Sequence, residues 1–334
     1  MDIGQIRLSH LSMMTGMIRR TLTARAHALF DKNDLNRSSG NQIILNSDQV
    51  YQLLEDQFIY KKGKIICMAM RKGGVGKTFI SFFLTHLISS LGLKFCIIDL
   101  DQESLLTQKI LKIQDYLPIN TPVFVDLVSK NIHPELGRKV NIEDIIMPVS
   151  KNLSIIPSTV KNTLLAQTIA FQGIKHYENW LNELCIDYLR SHYDVILIDT
   201  PAGDSVLLSS FYLCLDERDS ILIPAFADQA ATFSISNTLN DIYAIRKEFK
   251  KPLDLDINVV INKKPTNRLS EENFESEIQR LYNEFIWREY IPDNAQLTTI
   301  YNQPSLLDSL KDPKQFYDNI SFLLKKFKIL KGDE

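Results

Sequence analysis

From Lys64 onward, short apolar runs alternate with longer stretches of helical periodicity. The runs cover residues 65–70, 95–100, 153–158, 195–198, 220–224 and 257–262. Unbroken apolarity predicts strands buried on both faces, and strands separated by helical stretches predict a mainly parallel sheet flanked by helices. A helix is expected over 77–90, with Ile80, Phe83, Leu84 and Leu87 as one buried stripe and Gly92 ending it. Another is expected over 237–248, with Leu239, Ile242 and Ile245 inward, and a long amphipathic one carries Trp180, Leu181, Leu184 and Leu189. Residues 120–146 are weakly patterned, with short helices near 123–128 and 142–146. A final helix over 312–330 turns Phe316, Ile320, Leu323, Leu324 and Phe327 to one side.

Residues 1–60 read as a separate, mostly helical module, since no buried-strand run precedes Ile65. Residues 11–22 place apolar positions on a helix face, then Gly16 at a turn, then a second helix beginning near Met17: helix-turn-helix spacing. Arg19, Arg20 and Arg25 fall on or beside that second helix, where cations meet phosphates or base edges. The turn-rich 36–41 and β-prone 42–45 form a wing, and a helix from Ser47 to Asp56 turns Val50, Leu53 and Leu54 inward. DNA binding is one use of such a module; a helical cap for dimerisation is the other. Lys61, Lys62 and Gly63 read as a hinge into a second domain, 61–334.

The length of 334 residues suits one large α/β domain plus a small module. A net charge of −2 excludes a global positive field, so contact with nucleic acid must rest on local patches. The four cysteines are scattered without a CxxC pair, which fits buried thiols in a reducing compartment and excludes an iron–sulfur role. No apolar segment of transmembrane length and no signal-peptide pattern is present, so a soluble, cytoplasmic protein is expected.

Three motifs carry chemistry. Lys72-Gly73-Gly74-Val75-Gly76-Lys77-Thr78 follows a strand and opens a helix, so its backbone N–H groups form a phosphate cradle. Lys77 would lie along the β- and γ-phosphates, and Thr78 would give a hydroxyl to Mg²⁺. Lys72 is a second lysine that a plain phosphate loop does not require. Asp99 and Asp101 end the 95–100 strand, two apart and therefore on one side. The run 195–198 ends in Asp199, a carboxylate fit to hold a Mg²⁺-bound water, and residues 200–203 form a turn able to sense the γ-phosphate.

Lys72 to Thr78 resembles the deviant Walker A motif of the ParA/MinD family of dimeric ATPases, and residues 65–330 follow the family's order of motifs. The resemblance implies an α/β P-loop NTPase that binds ATP and Mg²⁺. In it Lys72 crosses an ATP-dependent sandwich homodimer, Asp101 orients the attacking water, and Asp99 supports the Mg²⁺ hydration shell beside Thr78 and Asp199. Gly73, Gly74, Val75, Gly76, Lys77, Thr78 and Phe79 cradle the phosphates. Asn262 recognises the adenine edge or, on the plainer reading, caps a turn; Pro292 belongs to a segment packed against the base.

Lys263, Lys264 and Arg268 match a basic surface that binds DNA in the dimer, with a solvated lysine face as the alternative. Residues 1–60 resemble the winged helix-turn-helix modules of some plasmid ParA proteins. The implied function is plasmid or chromosome partition in the cytoplasm and on the nucleoid, with a ParB-like centromere-binding partner stimulating hydrolysis. An ATP-responsive transcriptional repressor and a MinD-like positioning ATPase are the rivals. Membrane contact through the last helix is weighed against core packing, which its early apolar pattern and acidic end favour. Two departures stand out: Phe79 follows Thr78 where relatives carry a hydroxyl, and Gln102 follows Asp101 where they carry proline. Slow hydrolysis is the expectation.

Overall fold

The computed structural model describes residues 5–38, 42–129, 132–133, 135–164, 180–203, 206–264, 269–309 and 313–332. The strands in chain order are β1 (Gln5–Arg7), β2 (Asn36–Arg37), β3 (Ile43–Asn46), β4 (Lys64–Met68), β5 (Phe95–Asp99), β6 (Ile132–His133), β7 (Arg138–Lys139), β8 (Met147–Pro148), β9 (Leu153–Ile156), β10 (Val195–Asp199), β11 (Ser220–Ala225), β12 (Asp256–Lys264) and β13 (Ile291–Pro292). The first four helices are α1 (Leu8–Thr15), α2 (Arg19–Leu29), α3 (Ser47–Leu54) and α4 (Lys77–Ser89).

Eight strands make the central sheet in the order β13-β12-β11-β4-β10-β5-β9-β8. Its pairings are parallel except β8 with β9. Every residue of β4, β5, β10 and β11 is buried, which is why their sequences read as continuous apolar runs rather than as alternation. Apolar clusters fill both faces of this sheet. The strand order brings β4 between β10 and β11, so the loop leaving β4 opens among the carboxyl ends where ligands of α/β sheets bind. In the β5–β10 register Asp99 stands directly opposite Asp199.

Three boundaries differ from the sequence expectation. The helix expected from residue 237 starts at Gln229, because Asp228 accepts a hydrogen bond from the Ala231 N–H at 2.8 Å and caps it. The final helix is two pieces, Pro313–Ile320 and Phe322–Lys326. Its apolar residues Phe316, Ile320, Leu323, Leu324 and Phe327 are all buried, as core packing requires. Among the described residues no helix is long and apolar enough to cross a membrane.

The third difference concerns residues 1–60. The elements there are α1, a turn at Gly16 with φ +75°, α2, and a three-stranded sheet β1-β3-β2; residues 39–41 of the expected wing lie outside the described residues. Yet this unit shares one hydrophobic core with the rest of the chain, Leu8, Leu11, Leu22 and Val50 joining Phe83, Phe316 and Leu324. Phe58 and Leu330 form a β-bridge, and Ile59 N–H donates to the Ile329 carbonyl at 3.1 Å. The expected hinge is likewise pinned: Gly63 and Lys64 N–H both donate to the Asp194 carbonyl, and Arg190 donates to the Gly63 carbonyl while pairing with Asp219. Charge and glycine in the sequence suggested flexibility there; tertiary hydrogen bonds remove it.

α4 ends against the module. Gly92 has φ +78°, and a Cβ on it would lie 2.1 Å from the Ser47 carbonyl oxygen at the start of α3. Gly92→Ala is therefore expected to cost about 1–3 kcal/mol through strain and forced separation of α3 from α4. Urea unfolding of the two proteins measures this, and a difference within error would mean that the contact yields freely.

Candidate active site

The phosphate loop is shaped by glycines at two positive-φ positions, Gly74 at +74° and Gly76 at +99°. At Gly76 a Cβ would sit 2.0 Å from Asn262 Nδ2, so the position is closed to other residues by both backbone and neighbour. Asn262 is fully buried at the end of β12 and donates to the Val75 carbonyl at 2.8 Å, while its own Oδ1 accepts from Lys263 N–H. Its observed contacts brace the loop from behind. Pro292 lies beside it, through the pairing of Asn262 with Ile291 and Lys264 with Pro292.

Lys77 is buried and donates from Nζ to the Met70 carbonyl at 3.1 Å. Burial pulls its pKa down, opposed by Asp199 and Asp101. Asp199 is fully buried at the end of β10. Its Oδ1 accepts from Ser81 Oγ at 2.8 Å, and its Oδ2 is buried without a hydrogen-bond partner. A buried carboxylate oxygen left unpaired is costly unless a ligand completes it. The donor set fits Mg²⁺: hard oxygens only and few protein ligands. Thr78 and Asp199 would hold it, and among the described residues no cluster of three acidic, His or Cys side chains competes.

Asp99 accepts at Oδ2 from Thr107 N–H at 2.9 Å and Thr107 Oγ1 at 2.6 Å, and at Oδ1 from Asp101 N–H at 3.1 Å. These bonds shape the turn between residues 99 and 107. Thr107 Oγ1 also accepts from Ser158 N–H, tying this turn to the segment after β9. Asp101 projects from that turn, half-buried, with Oδ1 accepting from Glu103 N–H at 3.0 Å.

The turn after β10 is tethered to the loop. Thr200 Oγ1 donates to the Met68 carbonyl at 2.7 Å, and Gly203, at φ +91°, donates its N–H to the Arg71 carbonyl at 2.9 Å. Phe79 packs edge-on to Phe83 and against Tyr301, so the ring in place of the expected hydroxyl is absorbed into the core. Lys263 lies with Nζ 5.9 Å from the Phe79 ring centroid. Arg268 lies outside the described residues. Lys72, at the rim, forms an ion pair with Asp228, Nζ to Oδ2 at 2.6 Å.

Residues 63–255, more than half of the chain, match the family described as an AAA domain. The chain belongs to it, as a ParA/MinD-type P-loop ATPase. The sporulation initiation inhibitor protein Soj of Bacillus subtilis is 24% identical over 238 residues, 71% of this chain and 87% of Soj. The ATP complex of a Cyanothece McdA variant superimposes with a TM-score of 0.66 at 20% identity, covering 81% of this chain and 98% of that one. A structure described as a partition protein has a TM-score of 0.63 at 16% identity and covers 97% of this chain and 93% of its own, so the likeness of fold includes the first 60 residues.

Within this ParA/MinD-type site, Ser81, Thr107 and Asp228 contact the motif residues Asp199, Asp99 and Lys72, and the sequence reading passed over them. Ser81 had a signal: it lies three residues after Thr78 on one helix, hence on the same face. Thr107 and Asp228 had none, since neither lies in a motif and Asp228 is 156 residues from its partner Lys72.

Burial raises the pKa of Asp99 to about 7, with the Asp199 charge adding to it, and raises Asp199 to about 6 against the pull of Ser81, Thr78 and Lys77. Carboxylates raised in the fold bind more protons folded than unfolded between about pH 4 and 7, so stability falls as pH rises through that window. The metal-free protein should be more stable at pH 5 than at pH 7.5 on account of this pair. Asp199→Asn should flatten that slope and raise stability at pH 7.5 by about 1–3 kcal/mol. Thermal unfolding across pH tests it, and an unchanged slope would remove the pair as its source.

Proposed function

We propose that this chain is an ATPase of plasmid or chromosome partition, working as an ATP-dependent sandwich dimer that binds DNA and is reset by hydrolysis. The observation that carries the reading is the buried, unpartnered Asp199 oxygen beside a loop whose rim bears the extra lysine, Lys72. A site that only binds nucleotide does not need the second lysine. Mg²⁺ would supply charge neutralisation for the transferring phosphoryl group.

The chain's own residues then have these parts. Gly73 to Phe79 offer backbone N–H groups to phosphate oxygens, and Lys77 turns from the Met70 carbonyl to the phosphates. Ser81 holds Asp199 with one oxygen toward the metal. Asp101 holds and orients the attacking water from the turn anchored by Asp99 and Thr107. Lys72 reaches the nucleotide of a second copy, where fixed positive charge lowers the barrier most in a site that excludes water. Asn262 and Pro292 flank the base, Asn262 with the amide hydrogen not given to Val75. In this reading the protein works in the cytoplasm on nucleoid DNA, with a ParB-like partner.

In the N-terminal unit, Arg19 and Arg20 are exposed at the start of α2, next to Ile18 at 73% exposure. They are suited to phosphate or groove contact. Arg25 is not available in the same way: its guanidinium forks onto Asp56 at 2.7 and 3.0 Å and holds that carboxyl below its ordinary range. In this reading Arg25 serves the unit itself, because a bidentate pair fixes its planar group there.

Two measurements test the proposal. ATP turnover should rise on adding DNA together with a ParB-like protein, and should fall at least tenfold in Asp101→Ala; no stimulation by either addition would sink the partition assignment. Arg19→Ala or Arg20→Ala should weaken DNA binding and reduce the slope of log affinity against log salt by about 1 each. Arg25→Ala should leave that slope unaltered, and an equal loss of slope would restore Arg25 to the contact surface.

A further inference from the structure

Lys72 is committed within its own subunit. Its ammonium sits 2.6 Å from Asp228 Oδ2, with the two side chains 28% and 42% exposed. Asp228 does two things at once, since its Oδ1 caps the helix Gln229–Glu248 through the Ala231 N–H. The neighbouring Arg71 is bound to the same helix, Nε to Asp241 Oδ2 at 3.3 Å. The rim of the phosphate loop is therefore fastened to this helix by two ion pairs, and one of them consumes the charge that the dimer would need. On the same helix Phe233 is 69% exposed, a large aromatic left in water.

We propose that Asp228 is a positioning residue that holds Lys72 in cis, so that pairing of two subunits has to break this contact and is thereby made to wait for nucleotide. This rests on the sandwich-dimer reading above and adds its threshold. A lysine cannot donate at once to its own Asp228 and to a nucleotide in a second copy, so each subunit of a dimer must exchange one partner for the other. The exchange is favourable only when bound phosphates offer more negative charge than one carboxylate. Without nucleotide, Asp228 wins and the subunits stay apart.

The substitution Asp228→Asn separates these two duties. Asparagine caps helices as well as aspartate does, so D228N keeps the bond to Ala231 and removes only the charge on Lys72. A half-exposed ion pair is worth about two- to fivefold in an equilibrium constant. Two such pairs break per dimer, so the dimer dissociation constant with a non-hydrolysable ATP analogue and Mg²⁺ should fall about four- to 25-fold in D228N.

Sedimentation velocity on the full chain reads this, with Lys72→Ala and the double variant completing a cycle. In the Lys72→Ala background, D228N should change nothing. Equal pairing by D228N and the unsubstituted protein overturns the latch, as does a D228N effect that persists without Lys72, which would assign it to general charge repulsion. A protein that never pairs with nucleotide, substituted or not, sinks the dimer reading and the latch with it.

Discussion

Two carboxylates, Asp99 and Asp199, end adjacent parallel strands in register and are both fully buried. Parallel pairing leaves no freedom to separate them, and burial of two like charges is unfavourable without donors or a cation. Much of the surrounding structure answers that constraint. Thr107 and the Asp101 N–H satisfy Asp99, Ser81 satisfies half of Asp199, and Lys77 supplies the nearest positive charge. The oxygen that remains unanswered is where the phosphate loop opens.

The loop's precision comes from behind as much as from its glycines. Asn262 reaches it from β12, Thr200 and Gly203 tie it to the turn after β10, and Arg71 and Lys72 fasten its rim to the helix Gln229–Glu248. These contacts join the switch-like turn, the loop and one helix into a single mechanical unit. α4 extends that unit: it begins at Lys77, and the turn that ends it brings Gly92 against Ser47 at the start of α3. A buried helix thus spans from the phosphate loop to the N-terminal unit.

Sharing of one core by the N-terminal unit and the C-terminal helices changes how the molecule divides. A hinge at Lys61–Gly63 would let the two units move independently. Leu11 and Leu22 share one core with Phe316 and Leu324, and the bridge of Phe58 to Leu330 joins the units further. The apolar C-terminal stripe that resembled a membrane-surface helix is what fills that shared core.

By itself the sequence determined the sheet and the motifs. Continuous apolar runs of strand length, spaced by helical stretches, point to strands buried on both faces, and Lys72–Thr78, Asp99, Asp101 and Asp199 form local patterns whose order points to a phosphate and metal site. It did not determine what each charge touches. Asp99 held by Thr107, Arg25 forked onto Asp56, Lys72 paired with Asp228, and the Asn262 brace all join residues far apart in the chain or lacking any motif. Such pairings depend on strand order and helix placement, which put side chains within hydrogen-bond distance without leaving a periodic trace. Tertiary structure alone turned the extra lysine from a spare charge into one already engaged.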